Sequence, residues 1–99
     1  MTYLVLTLDK PGHRAVRDAH RADHYAYLIE HQARILAGGG LQDEEGGFIG
    51  GATLVEVETL AEAESFAAGD PLAKAGLFAE VKVLRWKKAF FDHARVPPA

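Results

Sequence analysis

The sequence predicts an α+β fold: one antiparallel sheet of four strands with two helices on the same face. Three observations carry this. Tyr3–Leu8 and Phe78–Trp86 alternate with a period of two, and Gly51–Glu58 is a further β-rich run. His13 to about Ala33 contains neither Gly nor Pro and has helical spacing. Thr59-Leu60-Ala61-Glu62 is a capping box that opens a second helix.

The elements follow in order. In the first strand Leu4, Leu6 and Leu8 point one way and Tyr3, Val5 and Thr7 the other, so apolar side chains meet both faces. Asp9-Lys10-Pro11-Gly12 is a turn. The first helix then carries two stripes. Ala15, Ala19, Ala22, Ala26, Ile29 and Ala33 form a small-residue stripe expected to lie close to the sheet. His20, His24, Tyr27, Leu28 and His31 are expected to face away from it. Arg34–Ala37 fits either an extension of that helix or a short strand. The strand is preferred because a hairpin follows naturally, with Gly38, Gly39 and Gly40 ending it and Gln42–Gly47 as the turn. The second helix runs to about Ala68 and stops at Gly69. Asp70 at N-cap and Pro71 at N1 restart it as a short turn through Ala75, closed by Gly76. In the last strand Ala79, Val81 and Val83 share one face, with Phe78, Leu84 and Trp86 opposite. Lys87 to Ala99 reads as a tail, the ordered core ending near residue 90, with Pro97-Pro98 unpacked.

This β-α-β-β-α-β order is the ferredoxin-like arrangement. Two helices cover one face of four strands, yet the first strand is apolar on both. A second sheet from an identical subunit is therefore expected on the other face, making a homodimer.

Composition narrows the function. The 99 residues make one domain, 48% hydrophobic and 25% charged. A net charge of −3 with interspersed signs gives no field for nucleic acid or an anionic membrane. No cysteine is present, which excludes a disulfide framework and thiolate chemistry. Met1–Leu8 lacks a basic leader and is too short to span a bilayer, so a cytoplasmic location is expected.

Two distant stretches carry the candidate chemistry. A histidine on the first helix, His24, and an aspartate at the N-cap of the short turn, Asp70, are the parts of an acid/base pair. The carboxylate, immobilised by first-turn amides, would hold one ring nitrogen while the other moves a proton. Taken singly, each residue also fits a purely structural role. Arg21, three residues before His24, is a candidate anchor for a carboxylate or phenolate. Tyr3, Tyr27, Phe78 and Trp86 are candidate apolar walls or core residues, with Tyr3 and Trp86 better placed at a dimer interface. His20, His24 and His31 invite a metal reading, but His31 lies two turns beyond the first pair and no cysteine or intervening glutamate assists, so no metal is expected. The clusters Gly38–Gly40 and Gly46–Gly51 lack the lysine and following helix of a phosphate loop. They mark turns, or places where backbone lines a pocket.

Arg21-x-x-His24-x-x-Tyr27-Leu28, Arg34–Gly39, Leu54-Val55-Glu56, Ala61–Glu64, Asp70-Pro71, Ala75-Gly76-Leu77-Phe78 and Val83-x-x-Trp86 together resemble the YCII-related (YciI-like) family. The likeness runs from about Tyr3 to Phe90. It implies a dimeric α+β barrel and a pocket where the family's histidine and aspartate pair, here His24 and Asp70. One family member is a dehydrochlorinase in chlorinated-aromatic breakdown. The family's usual Gly-Pro after the second strand is Gly39-Gly40 here, and His31 replaces a more usual apolar residue, which would bring an extra polar group near the site. The expected function is a small-molecule lyase or isomerase without cofactor, using His24 and Asp70, with Arg21, Tyr27 and Phe78 binding substrate. A non-catalytic ligand-binding protein and a cofactor-free oxygenase are the rival expectations.

Overall fold

The computed structural model describes residues 1–97. Its main elements are β1 (Thr2–Asp9), α1 (Arg14–Glu30), β2 (Ile35–Gln42), β3 (Phe48–Glu56), α2 (Leu60–Gly69), α3 (Pro71–Lys74) and β4 (Phe78–Trp86). A two-stranded hairpin follows, β5 (Phe90–Phe91) and β6 (Ala94–Arg95). The four long strands form one sheet in the order β2-β3-β1-β4, every neighbouring pair antiparallel. This is the ferredoxin-like arrangement the element order implies.

The core is gathered under α2. Tyr3 and Val5 of β1, Val55 of β3 and Val57 just beyond it meet Ala63, Phe66 and Ala67 of α2. Leu72 and Leu77 are fully buried alongside. Thr59 caps α2, its hydroxyl accepting from the Glu62 amide at 3.2 Å. Tyr3, expected at a subunit interface, is instead a core residue with 6% of its surface exposed. Its ring points to the helix side with Val5 and Thr7.

The two stripes of α1 are reversed from expectation. The alanines are exposed, as is Ile29 at the cavity's rim, while His20, His24, Tyr27 and Leu28 are half-buried, and α1 has no fully buried residue at all. The physical reason is distance. The helix stands off the sheet over a cavity, so only long side chains cross the gap. Outward alanines cost little because Ala is the best helix former. Three polar contacts secure α1 to its surroundings. Arg17 donates twice to Asp9 (2.7 and 2.9 Å), His24 meets Asp70, and the Tyr27 hydroxyl donates to the Phe66 carbonyl at 2.8 Å. The helix also ends at Glu30, before Ala33; a 3-10 turn, Gln32–Arg34, delivers the chain to β2.

The glycines do not stop β2. They are its middle: Gly38, Gly39 and Gly40 pair with Thr53, Ala52 and Gly51 of β3, which itself begins at Phe48 rather than Gly51. A ladder needs only backbone donors and acceptors, so glycine is tolerated at roughly 0.5–1 kcal/mol per residue relative to alanine. The segment after β4 is likewise not a simple tail. Phe90–Arg95 folds back through a two-residue turn in which Asp92 and His93 have φ of 50° and 66°. Pro98, expected to be unpacked, lies outside the described residues.

The opposite sheet face is uncovered within the chain. Leu4 pairs with both Leu54 and Leu84, and Leu6 and Trp86 share that face. Leu84 is 51% exposed.

Candidate functional site

The space beneath α1 is a cavity of about 620 Å³. Its roof comes from α1 (Arg17, Arg21, His24 and Leu28) and its floor from the sheet (Val5, Thr7, Gly38, Gly40, Gly51 and Thr53). Asp70 and Leu72 of the α3 turn close one side, and Phe48 and Phe78 stand at the edges. The hollow exists because the β2–β3 hairpin brings glycine where other strands would bring side chains.

Asp70 sits on this wall because the chain breaks there. It is extended (φ −62°, ψ 130°) between α2 and α3, and its Oδ1 accepts from the Leu72 amide at 2.9 Å with Pro71 in the first turn. Both carboxylate oxygens lie 2.9 Å from His24 Nδ1. A carboxylate can only accept, so Nδ1 carries the hydrogen and donates it. In the neutral ring the lone pair is then on Nε2, and the ring lines the cavity. Side-chain exposures of 19% for His24 and 13% for Asp70 leave the pair shielded but reachable.

Arg21 stands one turn before His24. Its guanidinium lies 5.7 Å from the Phe48 ring centre and 5.9 Å from that of Tyr25. It has no carboxylate partner among the described residues. Arg17, by contrast, is neutralised by Asp9 in a shielded two-bond pair. Arg21 is thus the cation of this cavity still open to an anion.

The structure brings His24, Asp70, Arg21 and Phe78 to one cavity and places Tyr27 outside its lining. The Tyr27 ring packs on Phe66 and His31, with ring centres 5.5 and 4.5 Å away. His31, read as an extra polar group near the site, belongs to this aromatic stack and to a separate shallow niche with Arg34 and Glu62. The Tyr27 hydroxyl is harder to ionise than usual, first because burial disfavours its charged form, then because Asp70 and Glu30 are nearby negative charges. No group of three or more His, Cys, Asp or Glu among the described residues is arranged to hold a metal. Phe78 reaches the cavity through an irregularity. The β1–β4 register shifts between Leu8 and Asp9, so Phe78 pairs with Asp9 and departs from the face of Leu84 and Trp86.

Sequence reasoning missed Arg17, Phe48, Thr7 and Thr53. Arg17, Arg21, His24 and Leu28 recur at intervals of four, three and four, a stripe that was there to be read. Phe48 has no such signal. Its place depends on the hairpin starting three residues earlier than expected.

Fold and site together define a ferredoxin-like α+β protein in which a helix-borne histidine and an N-cap aspartate meet beside a cavity. The chain belongs to the YCII-related family, whose domain model matches residues 1–87. It is 37% identical to an uncharacterized protein of Haemophilus influenzae and 31% identical to Protein YciI of Escherichia coli, each match covering 91% of this chain and 100% of the relative. Among solved structures it is similar to the 5-chloro-2-hydroxyhydroquinone dehydrochlorinase TftG of Burkholderia phenoliruptrix, in complex with 2,5-dihydroxybenzoquinone. That match has a TM-score of 0.82 and 37% identity, and covers 88% of this chain and 94% of the other. No helix among the described residues is long and apolar enough to cross a membrane.

Proposed function

We propose that this protein is a small-molecule enzyme of the lyase or isomerase kind, with His24 as proton carrier and Asp70 as its orienting partner. The observation that carries the reading is the 2.9 Å contact between His24 Nδ1 and the Asp70 carboxylate on the wall of the cavity. Likeness to a dehydrochlorinase over 88% of the chain supports the same chemistry.

The substrate is a compact aromatic or carbonyl-bearing molecule whose carboxylate or phenolate pairs with Arg21, its apolar part lying against Phe78. Nε2 of His24 removes a proton from the bound molecule. The electron pair left behind shifts into the conjugated system and expels the leaving group, a halide in the dehydrochlorinase case, with its bonding electrons. The imidazolium formed is stabilised by Asp70 and returns its proton to water. The scheme employs no metal or organic cofactor. The protein acts as a homodimer in this reading, a second copy covering the leucine face of the sheet.

Chloride release from 5-chloro-2-hydroxyhydroquinone tests the assignment. The wild type is expected to turn over, with His24→Gln slower by about 10²-fold or more and Asp70→Asn intermediate. Undiminished turnover by His24→Gln removes the histidine from the mechanism. Binding of 2,5-dihydroxybenzoquinone with no turnover by the wild type would favour a non-catalytic ligand-binding protein.

A further inference from the structure

The floor of the cavity differs from its roof in kind. Gly38, Gly40 and Gly51 present bare backbone, where the roof presents long side chains. These glycines are not there to avoid collisions of the backbone with itself. A methyl on Gly51 would meet the Thr7 Oγ1 at 3.4 Å, and one on Gly38 the Thr53 Cγ2 at 3.4 Å, both ordinary contacts with side chains. Neither has a φ that requires glycine. The space above them is therefore cavity, kept empty by residue choice. Gly40 plays a different part: a methyl there would come within 2.6 Å of two Phe48 ring carbons, so the ring lies directly against its backbone. Phe48 in turn carries the Arg21 guanidinium on its face.

From this the geometry points to a slot that selects flat, singly anionic rings. Gly38 and Gly51 form a smooth floor for the ring face. Phe48, seated on Gly40, sets the end of the slot and holds Arg21 where the ring's acidic substituent lies. A flat ring touches this bare backbone over its whole face, whereas a puckered ring touches it only through its axial hydrogens and loses the rest of that contact. The proposal rests on the reading of this cavity as the ligand site, and not on any proton transfer within it.

Benzoate and cyclohexanecarboxylate separate the alternatives, since they share charge and approximate size but only one is flat. Burial alone favours the saturated acid, which exposes more apolar surface to water. A ¹⁵N-resolved NMR titration of the full chain should show benzoate shifting the amides of Gly38, Gly40 and Gly51 and binding roughly tenfold tighter than cyclohexanecarboxylate. Gly51→Ala should weaken benzoate by a similar, roughly tenfold, factor. If that variant does not fold, Gly38→Ala makes the same test. Equal affinity for the two acids, no response at the three glycines, or benzoate binding unchanged by the alanine overturns the slot. The same titration on His24→Gln keeps the two readings apart. Preference for benzoate retained there, with turnover lost, upholds both. Turnover by the wild type without preference for the flat acid sinks the slot alone.

Discussion

Tyr27 shows how far a helical wheel can take a residue and where it fails. It lies three positions from His24, on the same side of α1, and so was expected to share the ligand site. The structure gives its hydroxyl to the Phe66 carbonyl instead, a long-range contact that no local spacing reveals. Tyr27→Phe leaves that carbonyl without its partner and is expected to cost about 1 kcal/mol. The pH dependence has a definite sign. Burial raises the Tyr27 pKa above its ordinary 10.0, so the folded protein holds the phenolic proton more tightly than the unfolded chain. Its contribution is complete below about pH 10 and is lost as pH climbs through the folded pKa. Urea denaturation across the alkaline range should show wild-type stability falling more steeply than that of Tyr27→Phe; parallel curves would remove Tyr27 from the effect. His24 and Asp70 were more legible. A Gly-Asp-Pro sequence names its own N-cap, and a histidine amid the polar side of a helix is a conspicuous partner for it.

At the scale of the element, the β2–β3 hairpin and α1 explain each other. Strand periodicity was readable in β1 and β4 because their side chains alternate. It is invisible in β2, where three successive glycines carry no pattern and look like the strand's end. The same missing side chains leave the gap beneath α1 unfilled, so the long residues of that helix, and not its alanines, turn toward the sheet. Within the hairpin the glycines are not equivalent. A methyl on Gly50 would collide with the Thr7 carbonyl oxygen and lie 3.3 Å from the Leu8 Cα, atoms of backbone that cannot swing aside. Gly50→Ala is therefore expected to destabilise by about 2 kcal/mol or more, whereas Gly38→Ala should stay within about 1 kcal/mol. Thermal melts of the two variants give the comparison, and equal melting temperatures would contradict it.

For the whole molecule, mass is distributed unevenly. One half of the sheet's helix side is filled by the core under α2, the other is hollow under α1, and the far face presents Leu4, Leu54 and Leu84 with Glu80 and Lys82 toward one end. Both helices and the order of strands could be read from the sequence. The division into filled and hollow halves could not, because it depends on the gap between α1 and the sheet. The open face yields a prediction at this scale. Leu84, beside Leu4 and half exposed, sits within the surface a second copy would cover. The wild type is expected to sediment as a dimer and Leu84→Glu as a monomer; a monomeric wild type would refute the assembly.

The void beneath α1 also bears on what occupancy does to the molecule. Beside the buried Leu72 and Leu77 the interior keeps room for a guest. A molecule that settles there becomes, while it stays, part of the protein's own interior, and the helix overhead gains packing that its alanines and three polar moorings do not supply. Recognition and rigidity thereby become one equilibrium, with tight binders firming the lid in proportion to their affinity.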